Sequence, residues 1–351
     1  MSVSKLFSPN YKYIILFSIL IILFICFTIF DLFFGTVRIP IKNILEIIFT
    51  DNNVKQEWTI IVNEFRIPKT ITAILAGVAL SVSGLQMQTV FKNPLAGPDV
   101  LGISSGASLG VAIVLMSFSS IFAFDFTGLM GNSVIIISSW LGSALILLLV
   151  FSVSVRIKDI MTILVLGILF GSVATSAVGI MQYFSTESML KSFVIWTMGS
   201  LGGVTKSQLY VLTPCIAAGL IIALLCSKIL NALLLGENYG KTMGLNIKLS
   251  RLLIFLSTSI LAGSITAFCG PIGFIGIAVP HLTRMILKTS LHNYLILGSC
   301  LIGAIVMLIS DIISQLPGNS ITLPINSVTA LLGIPIIAFI IIKNYKFSSS
   351  S

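Results

Sequence analysis

Apolar residues run almost without interruption through ten stretches of this chain, at roughly 13–34, 70–91, 100–118, 134–155, 161–183, 209–230, 249–268, 272–287, 294–316 and 328–342. Polar residues gather in the short intervals between them. A helix needs about 20 apolar residues to cross the hydrocarbon of a bilayer, and only helices or closed barrels satisfy every backbone group there. Barrel strands alternate apolar and polar positions, whereas these runs are continuous, so each predicts a helix. The expected fold is an all-α polytopic membrane protein of about ten transmembrane helices, forming a single transmembrane domain over 1–351. The third and eighth runs are short or glycine-rich. Lys5 and Lys12 precede the first run, and its exit, "FTIFDLFFG", offers no small-residue cleavage site, so it is expected to stay as the first span.

Composition agrees with a lipid surrounding. Of 351 residues, 56% are hydrophobic and 9% charged, against about 25% charged in soluble domains. The net charge of +9 is not collected into basic runs, which removes nucleic acid as a partner. It fits membrane orientation instead. With the N-terminus inside, 13 of the 20 Lys and Arg fall on the inner side, among them Lys5, Lys92, Arg156, Lys158, Lys241 and Arg284. Basic residues near span ends set topology, so a cytoplasmic-membrane protein with both termini cytoplasmic is expected. The five cysteines lie apart in apolar segments and read as small packing residues. His281 and His292 are too isolated to build a metal site, and no metal or cofactor is expected.

Two Gly-Pro junctions hint at an internal repeat. Span two runs into "NPLAGPDVLG" and span seven into "CGPIGFIG", each followed by a short span. Those two spans cross in opposite directions, so the halves would form an inverted repeat, a device of transporters.

One loop imitates nucleotide chemistry. "GENYGKT" (236–242) resembles a phosphate loop, but that motif needs four residues between its glycines. Gly236 and Gly240 have three between them, and Leu235 stands where the first glycine belongs. No soluble segment is long enough for the strand that such a loop follows. The chain is therefore expected not to be an enzyme. The interval 229–248, between spans six and seven, holds a short helical stretch with more leucines than a connector needs. It reads either as a helix lying in the interface or as one docking into a groove of a soluble partner.

"RIPKTITAILAGVALSVSGLQMQTVFKNPLAGPDVLGISSGASLG" (66–110), "LLLGENYGKTMGLNI" (233–247), "GPIGFIGIAVPHLTR" (270–284) and "LPINSVTALLGIPIIAFII" (323–341) follow one another in the order of one family's motif blocks. Together they resemble the iron-chelate and cobalamin permeases (FecCD type) of bacterial ABC importers, over nearly the whole chain. The resemblance implies an ABC importer type II permease-like fold. It further implies a second permease subunit (a homodimer or a paralogue), a cytoplasmic ABC ATPase dimer, and an extracytoplasmic substrate-binding protein. The expected cargo is a ferric siderophore, with haem or cobalamin as alternatives. ATP hydrolysis would then belong to a separate chain.

Residue roles follow from the same resemblance. The loop 229–248 becomes a cytoplasmic loop with a coupling helix, carried by Leu235, Gly236, Glu237 and Gly244. Arg66 and Lys69, otherwise read as cations snorkelling at the interface, become docking charges for the binding protein. The family usually has arginine at the second of these positions, and Lys69 keeps the charge without the bidentate fork. Gln315 stands where a further arginine is common. Ser172, Thr175 and Ser176 of span five, with Asn326, Ser327 and Thr329 of span ten, are the expected translocation path. Asp311 is the most embedded acid, read as locally hydrogen-bonded or as a proton relay. A proton relay would suit the remaining alternative, an ion-coupled secondary transporter.

Overall fold

The computed structural model describes residues 9–35, 37–49, 54–118, 129–154, 157, 159–315 and 322–348. Lys5, Arg156 and Lys158, which entered the charge pattern, lie outside the described residues. Helices carry the described chain. We label them α1 (Pro9–Phe33), α2 (Ile41–Phe49), α3 (Gln56–Val90), α4 (Ile103–Ala112, running on as a π turn to Phe118), α5 (Leu129–Ser154), α6 (Ile160–Phe184), α7 (Glu187–Thr197) and α8 (Lys206–Leu225). The second half holds α9 (Ser227–Leu235), α10 (Glu237–Thr242), α11 (Ile247–Cys269), α12 (Ile275–Leu287), α13 (His292–Ser314) and α14 (Ile325–Ser348). Seven are long and apolar enough to span a bilayer, and the apolar stretches Ile103–Ser117, Ile275–Leu287 and Ile325–Phe339 are shorter. Each of the ten apolar runs thus falls on a helix.

The helices differ in what they bury. In the most apolar window of α3, 78% of residues are buried, against 6% in α1. So α3, with α11 and α13, forms the centre, while α1 turns Ile14, Ile22 and Ile29 outward. Close approach at the centre depends on missing side chains. A Cβ on Gly77 would sit 2.2 Å from the Gly303 carbonyl oxygen, and one on Gly303 would sit 2.3 Å from that of Gly77. Ser81 Oγ adds a hydrogen bond to Ser299 O at 2.7 Å. Small residues at such crossings let backbones pack directly, a main source of helix association in lipid.

Helix ends follow local chemistry. The helix α3 starts well before position 70, although 56–69 is polar and contains Pro68. A π turn over Ile61–Arg66 just ahead of the proline lets the helix continue, since such bulges absorb irregular backbone pairing. It stops at Val90, and Lys92 takes a left-handed φ of 47° before Asn93-Pro94. Each Gly-Pro junction joins a long helix to a shorter one. Helices α2 and α7 lie in intervals that no long apolar run marks.

Candidate functional site

Arg66 and Lys69 stand at one end of α3. Arg66 is 8% exposed; its Nη1 donates to Leu32 O (2.9 Å) and Phe33 O (3.0 Å), and its Nη2 donates to Val37 O. Leu32 and Phe33 end α1, where the last carbonyls have no partner within the helix. A cation there also opposes the negative end of the helix dipole. Lys69 Nζ lies 2.9 Å from Asp311 Oδ1 on α13, with the acid fully enclosed and the lysine side chain 21% exposed. Gln315 Nε2 donates to the other oxygen of Asp311 at 2.9 Å. Buried Asp31 of α1 accepts from Thr70 Oγ1 at 2.6 Å and lies beside Asp311. Lys69 and Asp311 form the ion pair of this cluster, while the guanidinium of Arg66 is spent on backbone carbonyls. A cavity of about 440 Å³ opens over this cluster, with Phe65, Arg66, Lys69, Met198, Gln315 and Pro324 in its wall.

The loop 229–248 lies at the other end of α3. Helices α9 and α10 meet at Gly236, whose φ of 119° is one that side chains disfavour. Gly244, at φ 82°, turns the chain back toward α11. The Glu237 carboxylate accepts from Arg251 Nη2 of α11 and holds α10 against the bundle. Leu234, Leu235, Tyr239 and Met243 are exposed, and Gly240 is buried. A cavity of about 450 Å³ here is walled by Lys92, Ile160, Leu235, Gly236, Tyr239 and Arg251 among others. Asp159 caps α6 beside it, accepting from the Thr162 hydroxyl at 2.7 Å and its N–H at 2.9 Å. Those two donors hold the Asp159 carboxyl below the usual carboxylate range. The Asn93-Pro94 turn is fastened nearby: His281 Nε2 donates to Pro94 O at 2.8 Å and Arg284 to Gln88 Oε1.

The span residues fall into two groups. Ser172, Thr175 and Ser176 lie on one exposed face of α6. With Asp99, Ser105 and three glycines they wall a cavity of about 410 Å³. Ser172 and Thr175 return their hydroxyls to Ile168 O and Gly171 O at 2.9 Å, and Ser104 donates to Asp99. On α14, Ser327 is exposed and Asn326 half-buried, its Oδ1 accepting from Gly273 N at 3.0 Å. Thr329 is fully buried and donates to Asn326 O at 3.0 Å. The structure brings the α6 hydroxyls together with Asp99 and Ser105, which sequence reasoning had left out. Among the described residues no group of His, Cys, Asp and Glu has the arrangement of a metal site.

Comparison with known proteins places this geometry. The profile of the FecCD transport family matches residues 19–343. The hemin transport system permease protein HmuU of Yersinia pestis is 34% identical over 287 residues, 82% of this chain and 84% of that one. The vitamin B12 import system permease protein BtuC of Salmonella typhi is 33% identical over 285 residues, 81% and 84%. A solved structure described as an inward-facing ABC transporter of metal-chelate type superposes with a TM-score of 0.79 at 28% identity, covering 94% of this chain and 99% of that one. These relatives are transporter components rather than enzymes, and none gives support to the ion-coupled alternative. The chain belongs to the FecCD transport family and is a multi-pass membrane permease of an ABC importer.

Proposed function

We propose that this permease carries an intact ferric siderophore across the cytoplasmic membrane, with haem and cobalamin as the alternative cargoes. The observation that carries the reading is the hydroxyl face of α6 at Ser172, Thr175 and Ser176. Hydroxyls exposed along a membrane span suit a wet pathway better than lipid. Apart from Asp99, whose carboxyl accepts from Ser104, a wall of small hydroxyls can release a bulky chelate whose metal is already wrapped. The cavity beside it offers no histidine, cysteine or aromatic side chain for the ring of a haem. Ser327 and Asn326 of α14 would complete the path, and buried Thr329 would hold Asn326 in place.

The partners follow the two ends. In this reading the whole chain, 1–351, is one transmembrane permease domain, with both termini cytoplasmic and a second permease copy across the path. A pair of cytoplasmic ATPases docks on 229–248, where Leu235, Tyr239 and Met243 present an apolar face and Gly236, Glu237 and Gly244 set its shape. The extracytoplasmic binding protein docks over the cavity of Lys69, with Arg66 keeping its floor rigid. Uptake by cells in which this importer is the sole route, with iron-55 supplied as a ferric hydroxamate siderophore, as haemin, or replaced by labelled cobalamin, decides the cargo. Accumulation of the ferric hydroxamate alone is expected; accumulation of haemin or cobalamin in its place overturns the siderophore assignment. Leu235→Asp with Met243→Asp should abolish co-purification of the ATPase, and undisturbed co-purification would remove the docking role.

A further inference from the structure

The helix that leads into the docking loop is tied to the centre of the bundle by a buried polar link. Asn231 of α9 points its Oδ1 at the start of α13, where it accepts from the backbone N–H of His292 at 2.9 Å. The first N–H groups of a helix have no partner of their own, and Leu291, at the cap position, supplies none. So α13 is capped from another helix. The same Asn231 oxygen lies 2.8 Å from His292 Nδ1; since it already accepts from one N–H, Nδ1 is a donor as well. On the far side of the ring, His292 Nε2 lies 2.8 Å from Thr89 Oγ1, in the last turn of α3, a hydroxyl that also reaches Leu85 O at 2.9 Å. The histidine is fully buried.

Beyond this point α3 and α13 pack backbone against backbone. The Gly77–Gly303 crossing brings their backbones into direct contact, and the Ser81–Ser299 hydrogen bond ties them. Their other ends are joined again by Lys69 and Asp311. We infer that Asn231 and His292 are positioning residues for transport: they form the linkage through which a movement of 229–248 reaches the α3–α13 pair, and through it the cavity at Lys69. This rests on the docking role proposed above for that segment. A contiguous network of packed and hydrogen-bonded groups can carry coupling over such a distance. Here the contacts run from Asn231 through His292 and Thr89 to the α3–α13 crossing.

The test uses the complex of this permease with its co-purified ATPase, trapped with ATP and vanadate, and reads backbone hydrogen exchange against the nucleotide-free complex. In the wild type, trapping should change exchange both at 233–245 and at the distant ends, 67–75 and 305–315. In Asn231→Leu and in His292→Phe the change at 233–245 should persist while the distant change is lost. Asn231→Asp, which keeps an acceptor, should restore it. The inference is overturned if the distant change survives in both variants, if it is absent from the wild type, or if the aspartate variant behaves like the leucine variant. It is also overturned if both variants lose the change at 233–245 although the ATPase is still bound. A wild-type permease that retains no ATPase at all would instead remove the docking reading on which this rests.

Discussion

Replacement of Lys69 by alanine would leave Asp311 enclosed without its cation, and Asp31 stands beside it. Removing one partner of a buried ion pair costs about 3–5 kcal/mol, because the remaining charge is left uncompensated. Two features place this site at the lower end. The lysine side chain keeps 21% exposure, and Gln315 still donates to Asp311 at 2.9 Å. Taking about 3 kcal/mol, and about 2 °C of melting temperature per kcal/mol for a chain of this size, Lys69→Ala should melt some 6 °C below the parent. Asp311→Asn in the same background removes the stranded charge, so the double variant should recover more than half of the loss, a non-additivity expected of contacting residues. Buried Cys226 and Cys269 supply the assay: in a Cys26→Ser background, a thiol-reactive dye reports their exposure as the detergent-solubilised protein is heated. Equal melting of Lys69→Ala and parent, or a double variant as low as the sum of the singles, would refute the view that this pair is held for charge balance.

The central crossing should be the least forgiving place in the fold. Gly303→Val would drive a side chain into the Gly77 carbonyl; backbone cannot yield as a side chain can, so a cost above the usual 1–3 kcal/mol of overpacking is expected, seen as loss of the monodisperse peak in size-exclusion chromatography. Gly236→Ala forces a side chain to φ 119°, at about 1–3 kcal/mol of local strain; the bundle should melt only about 2–6 °C lower while ATPase affinity falls, and unaltered affinity would count against a shaped docking turn. For Asp159 the folded carboxyl is the stronger acid of the two states, so its capping contribution is present above the unfolded pKa of about 4 and is lost as pH falls through the lower folded value. Asp159→Ala should therefore destabilise α6 at pH 7 and match the parent in strong acid, whereas Asp159→Asn, still an N-cap, should stay close to the parent at pH 7; an alanine effect that ignores pH would contradict the cap.

The spans were legible because a bilayer imposes a coarse rule that a sequence obeys openly. Each continuous apolar run became a helix, and even the failed phosphate loop at 236–242 was readable, since one missing residue is decisive for a cradle of N–H groups. Less was visible where structure depends on partners distant in sequence. Nothing near Arg66 announces that its guanidinium serves the carbonyls of Leu32 and Phe33. The link from Asn231 to His292 crosses 61 positions, and the lone histidine gave no pattern to detect. Asp31 did leave a signal, an acid in the exit of an apolar run, and Asp99 another, an acid in a Gly-Pro turn. Helices α2 and α7, of 9 and 11 residues, were hidden because such short stretches do not stand out beside spans.

One feature of α3 bears on how any visitor meets this protein. At 1.5 Å per residue, the 35 residues of Gln56–Val90 make a rod about 52 Å long. The hydrocarbon of a bilayer is only about 30 Å thick, and a typical tilt of about 20° shortens the rod by a few ångströms. If the Val90 end lies near one surface, the turns before Arg66 stand clear of the other, headgroups included. The π turn that carries the helix past Pro68 thus raises a rim, in which Trp58, Ile61 and Val62 pack against Ile39, Ile44 and Ile47 and Phe65 borders the cavity. That side of the protein is therefore a raised, buttressed rim beside the cavity rather than a flat floor.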